Sequence, residues 1–235
     1  MIPVSRTRRQ MSDSLLTASF IVFSGGLQDA YTYVCRDKVF ANAQTGNMVL
    51  MSTNFFEGNF AKALQYFVPI LAFALGVFTV ECVHRRCAAD GKLHWRQRVL
   101  ASEILLLAVV GFLPQACNML ANVIVSFVAA MQVEAFRKVH GYGYASTMCT
   151  GNLRSGTESL ANFLFLKDEK AIHRSRVYFG VIAIFILGAG CGAWLTARLG
   201  EKTVWISCAL LAVSFFLMFS EENLSGRRNK EEENS

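Results

Sequence analysis

Charge is scarce in this chain. Asp, Glu, Lys and Arg make up only 17% of its 235 residues, against about 25% in an ordinary water-facing domain. Proline is nearly absent, with 3 residues, and the 17 glycines follow no collagen-like period. These shortages exclude a fibrous or low-complexity chain and argue against a many-turned all-β domain. The 7 cysteines (Cys35, Cys82, Cys87, Cys117, Cys149, Cys191, Cys208) are odd in number and mostly lie within apolar runs. They read as packed, reduced thiols, not as a disulfide framework. Signatures of chemistry are missing too. There is no GxSxG turn, no HExxH pair and no phosphate-cradling glycine loop, and His84, His94, His140 and His173 fall in or beside polar loops. The sequence therefore predicts no enzyme, no cofactor, no metal site and no nucleic-acid partner.

What fills the chain instead is apolar. Hydrophobic residues reach 53%, and the net charge of +6 comes from basic residues placed between apolar runs. That pattern reports membrane orientation. Crossing a hydrocarbon layer of about 30 Å takes ~20 helical residues. Six runs approach this length: 15–35, 64–83, 99–113, 117–136, 177–197 and 203–220. Two further segments, 45–56 and 150–166, read as helices too short or too polar to cross. The first meets Glu57 after 12 residues, and the second contains Arg154 and Glu158. The expected fold is an all-α membrane protein with six transmembrane helices plus two re-entrant or short half-helices. The polar tail 221–235 is expected to lack regular structure.

Charge counting orients the chain. With both half-helices entering and leaving on one side and residues 1–13 in the cytoplasm, 17 of the 23 basic residues fall inside and 5 outside, Arg154 lying at membrane depth. Letting both half-helices cross would force either the basic loop 85–98 or the cluster 6–9 outside. The bias toward internal Lys and Arg selects the six-span arrangement in the plasma membrane, with both termini cytoplasmic and the lipid bilayer as principal partner.

The chain also resembles itself. Thr45-Gly46-Asn47 recurs as Thr150-Gly151-Asn152, 105 residues on. The stretch around Gln28 and Asp29 resembles that around Gln132 and Glu134, Leu75-Gly76 matches Leu187-Gly188, and Leu106–Val109 matches 210–213. Residues 14–115 and 116–220 thus each read span, half-helix, span, span. An odd number of spans per copy inverts the second relative to the first, the arrangement many secondary transporters use to place a site at mid-membrane.

The constellation Gly26-Leu27-Gln28-Asp29-Ala30, Phe40-Ala41-Asn42-Ala43-Gln44-Thr45-Gly46-Asn47 and the second Thr150-Gly151-Asn152 resembles the YoaK-like family of small bacterial membrane proteins, over roughly residues 14–219. The second copy departs from the first at Gln132-Val133-Glu134-Ala135. The resemblance implies a membrane fold, sometimes labelled permease-like, and names no substrate.

Thr or Asn at a helix start can cap free backbone N–H groups, and Gly permits close approach of a ligand or helix. Such a helix end within a membrane offers donors to an anion or carbonyl. Charged residues in spans mark functional cavities or internal pairs. The expected substrate-binding set is therefore Gln28, Asp29, Thr45, Gly46, Asn47, Gln132, Glu134, Thr150, Gly151, Asn152, Arg154 and Glu158. Asn47 and Asn152 are expected to approach each other at mid-depth. Arg154 is expected to favour an anionic or zwitterionic solute, unless it simply pairs with Glu158 or Glu134. Glu81 and Glu103 are expected to pair with the basic loop. Gly188 and Gly192 form a GxxxG serving either close packing or a contact between copies in a homo-oligomer. Trp95, Trp194 and Trp205 fit interface belts. The leading function is a small permease or channel-like protein for a polar or anionic solute. The alternative is a non-transporting scaffold or lipid-interacting protein.

Overall fold

A computed structural model describes residues 15–88, 95–139 and 142–233. The N-terminal cluster Arg6, Arg8 and Arg9, Lys92, His94 and His140 lie outside the described residues. Eight α-helices follow one another: α1 (Leu15–Cys35), α2 (Gln44–Phe56), α3 (Phe60–Ala88), α4 (Trp95–Val110), α5 (Asn118–Ala135), α6 (Cys149–Leu166), α7 (Glu169–Leu199) and α8 (Val204–Glu233). Strands β1 (Lys138–Val139) and β2 (Tyr142–Gly143) pair antiparallel ahead of α6. Each apolar run and each short segment became one helix. So proline-poor a chain lets these runs satisfy their own polar groups, with α3 alone among the described helices carrying a proline inside, Pro69, which removes one helical donor.

Three helices run at least five residues longer than expected at one end, the first being α3, which covers Phe60–Ala88 against the expected 64–83. α7 begins at Glu169 because the Asp168 carboxylate accepts the Lys170 backbone N–H at 2.9 Å, a side-chain cap that starts the helix eight residues early. α8 continues through the tail to Glu233, correcting the expectation of irregular structure there. Glu, Lys and Arg are good helix formers, and no proline interrupts them.

The distribution of polarity suits lipid. Leu71, Leu75 and Phe78 on α3, Leu105 on α4, and Ile186 and Leu187 on α7 are each more than half exposed, whereas Gln28, Glu103, Asn122 and Gln132 are buried. In water such a surface would be an association hazard; against acyl chains it is the stable arrangement. Among the described residues three stretches are long and apolar enough to cross a membrane: Phe60–Arg86, Gln115–Ala135 and Glu169–Phe219, the last holding α7 and the first half of α8. Four of the six expected spans fall within them. α1, which carries Gln28 and Asp29, and α4, with 16 residues, do not meet that measure.

Packing pairs α1 with α7 and α3 with α5, seats α2 on α3 and α6 on α7, and sets α1 on α8 and α4 on α5. α4 crosses α8, and α1 touches α5. Exchanging α1–α4 for α5–α8 maps each of these pairs onto another or onto itself. Two tight crossings repeat the pattern in detail. A Cβ on Gly188 of α7 would collide with the Phe23 carbonyl of α1, and one on Gly76 of α3 with the Phe127 carbonyl of α5. Gly192 likewise faces Leu27, so α1 already occupies the GxxxG face and the glycines serve packing within the chain.

Arg36 anchors the end of α1. It is fully buried; Nε donates to the Tyr31 hydroxyl at 2.8 Å, Nη1 to Asn118 Oδ1 at 2.9 Å and Nη2 to the Leu113 carbonyl at 2.8 Å. Nη2 also donates to the Val110 carbonyl at 3.3 Å, so the C-terminus of α4 receives a cation where the helix dipole favours one. Glu81 pairs as expected, with Arg85 at 2.8 Å and with Arg137 at 3.5 Å. Glu103 does not. It lies on the inward face of α4 with Leu100 and Leu107, two turns past the basic end, and neither of its oxygens has a partner.

Candidate functional site

One face of α1 carries Ile21, Ser24, Gly25 and Gln28, spaced so that they line up along successive turns, and all are buried. Gly25 lacks a side chain, and its surroundings fill that gap. The Thr147 methyl covers its Cα, and Gln132 Nε2 of α5 lies 3.3 Å from where a Cβ would stand. On the other side Asn42 Nδ2 donates to the Gly25 carbonyl at 3.0 Å. Asn42 precedes α2 and Thr147 precedes α6, each five residues ahead of the Asn in its Thr-Gly-Asn motif. The two loops that lead into α2 and α6 thus meet on the same turn of α1.

Hydrogen bonding fixes much of the cluster. Gln132 Nε2 donates to the Ile21 carbonyl at 3.1 Å, and Gln28 Nε2 to Ser24 Oγ at 3.0 Å. Asp29 accepts the Asn42 backbone N–H at 2.8 Å, so its carboxylate holds the loop entering α2. Five oxygens have no hydrogen-bond partner among the described residues: Gln28 Oε1, Asn42 Oδ1, Gln132 Oε1, Ser146 Oγ and Thr147 Oγ1. All five residues are at least nine-tenths buried. Each such group costs about 1–3 kcal/mol when left unsatisfied, and three of the five residues, Asn42, Gln132 and Thr147, reach the Ile21–Gly25 turn of α1, a feature that stability alone does not select.

Of the residues expected to bind substrate, the structure brings Gln28, Asp29 and Gln132 together. Asn47 and Asn152 are buried for another reason. Asn47 accepts the Phe40 N–H through Oδ1 at 3.0 Å and donates Nδ2 to the Phe40 carbonyl at 2.7 Å. Asn152 makes the same pair with Ala145, seven residues upstream, at 3.3 Å and 2.7 Å. Each amide clips its own entry loop, and α2 and α6 are not among the packed helix pairs. The motif does not cap either helix: α2 starts after Ala43 and α6 after Met148, both without a side-chain cap bond. Gly46 packs beneath the Phe40 ring, whereas Thr45, Thr150 and Gly151 are exposed.

The charged candidates lie elsewhere. Glu134 pairs with Arg137 at 2.7 Å beside Glu81, at the end of α5. Arg154 and Glu158 are exposed on α6 and form no ion pair among the described residues. Neither pairing expected for Arg154 is made. Reading from sequence missed Ser24, Asn42, Ser146 and Thr147. The signal for Asn42 and Thr147 was available, since the 105-residue offset that pairs the two asparagines also pairs these positions.

Fold and cluster together define a class: an all-helical protein whose apolar helices are compatible with membrane insertion and whose polar groups turn inward. The chain belongs to the family described as protein of unknown function (DUF1275), whose model matches residues 17–217, from α1 into α8. The YoaK-like proteins belong to that family, and the resemblance drawn from the motifs holds. Neither the curated proteins nor the solved structures contain a match to the chain.

Proposed function

We propose that the protein is a small membrane permease or channel-like carrier, built as an inverted repeat of six spans and two half-helices, with its solute site around Gly25. The observation that carries this reading is the meeting of both half-helix entry loops on one turn of α1 through Asn42 and Thr147, each with a buried oxygen that has no partner among the described residues. Discontinuities flanking a central helix are where transporters bind solutes. The packing pairs, which map onto themselves when α1–α4 and α5–α8 are exchanged, support the repeat.

Contacts at the two ends support the topology. Glu81, Arg85, Glu134 and Arg137 gather at one end, all assigned to the cytoplasmic side. Asn118 Nδ2 reaches Asp37 at 2.9 Å and Gln115 reaches Glu201 at 2.8 Å at the other, all assigned outside. The reading places the protein in the plasma membrane with both termini cytoplasmic, assigns it no catalytic step, and leaves Arg154 outside the solute path.

The scaffold alternative draws on Asn47 and Asn152, whose amides are consumed by their own loops. Water access separates the two readings. Ser24→Cys introduces a thiol at the cluster, and Val128→Cys one in the apolar core. In a carrier, a small hydrophilic methanethiosulfonate modifies Ser24→Cys in reconstituted vesicles well above the Val128→Cys rate, the site being located by peptide mass. Equal protection of both thiols would leave the scaffold.

A further inference from the structure

The unpartnered groups near Gly25 are oxygens, and for two of the amides the identity is fixed by what their neighbours accept. An amide facing a backbone carbonyl must present its NH₂ there. Gln132 faces the Ile21 carbonyl and Asn42 the Gly25 carbonyl, so the free end of each is the oxygen. Gln28 Oε1 and the hydroxyls of Thr147 and Ser146 complete the set. The nearby carboxylate, Asp29, is engaged by the Asn42 backbone N–H. Among the described residues no guanidinium or ammonium joins these contacts: Arg36 is committed to the end of α4 and the Asn118 amide, and Arg154 is exposed.

Resting on the carrier reading, we propose that this cluster binds a monovalent cation, a sodium, potassium or ammonium ion, held by neutral amide and hydroxyl oxygens with Asp29 behind them. Hard oxygen ligands select hard cations, and no group of three His, Cys, Asp or Glu among the described residues offers the softer or more charged set that transition metals take. A single carboxylate is too little charge for a dedicated calcium cage, which uses several. The charge of the solute is thus opposite to the one that Arg154 implies from sequence. Irregular backbone beside half-helices is also where membrane carriers hold such ions, and here both entry loops deliver a ligand residue, Asn42 and Thr147.

The test uses the full-length protein in nanodiscs. Its melting temperature is followed while sodium, potassium or ammonium chloride replaces N-methyl-D-glucamine chloride at constant chloride. A saturable rise with at least one of the three ions is expected. Thr147→Val keeps the shape and removes one oxygen; it should raise the half-saturating concentration about tenfold, the equivalent of one modest ligand contact. If that variant is not recovered folded, equilibrium binding of radioactive sodium, rubidium or methylammonium to the unaltered protein decides, with one ion per chain expected. No saturable response to any ion would overturn the proposal, as would an unchanged response in Thr147→Val. Reactive Ser24→Cys without a cation response would sink only the cation site. Cation binding with a protected Ser24→Cys would sink the carrier and leave the site.

Discussion

At the scale of single residues, the most informative side chains are two asparagines that do one job twice. Asn47 and Asn152 each close a seven-residue span by taking both the N–H and the carbonyl of Phe40 or Ala145. A carboxylate of the same shape can accept the N–H but repels the carbonyl. Asn152→Asp and Asn47→Asp should therefore destabilise as Asn→Ala does, by about 1–3 kcal/mol each, seen as a lower melting temperature in detergent; an unaltered melting temperature would refute the clip. The recurrence of Thr-Gly-Asn was plain from sequence, but this role was not. Helical periodicity says nothing about a loop folding back over seven residues, and the cap reading failed because both helices begin before their Thr. Glu103 was misread for a related reason: eight residues into α4 it faces inward, and charge alone cannot show which face of a helix is buried.

At the scale of elements, glycine governs how closely helices approach. Gly188 and Gly190 sit two residues apart on α7, yet a Cβ on the first meets the Phe23 carbonyl and on the second nothing within 4 Å. Gly188→Ala should separate α1 from α7 and destabilise by about 1–3 kcal/mol, while Gly190→Ala should stay within ~1 kcal/mol of the parent, helped by better helix propensity. Comparative thermal melts of the two variants check this, and equal effects would contradict the packing. The helices themselves were legible almost residue by residue. Six apolar runs and two polar segments in a chain with 3 prolines leave little else for the backbone to do. The far end of α8, the start of α7 and the end of α3 departed by five residues or more; a charged tail stayed helical in the first and Asp168 supplied a cap in the second.

At the scale of the molecule, the proposed carrier has two halves inserted in opposite senses around one polar centre. Their packing maps onto itself on exchange, and each loop before a half-helix reaches the same turn of α1. The consequence is geometric. The turn after α2 must face outward and the turn after α6 inward, although the two motifs are alike. Glu57 and Glu169 are both exposed and mark these turns. Cysteines placed at each, one at a time, can be probed with a membrane-impermeant maleimide on intact cells and again after permeabilisation, against the parent protein as baseline. The inverted arrangement predicts that Glu57→Cys is labelled on intact cells and Glu169→Cys only after permeabilisation. Labelling of both from the same side would contradict it.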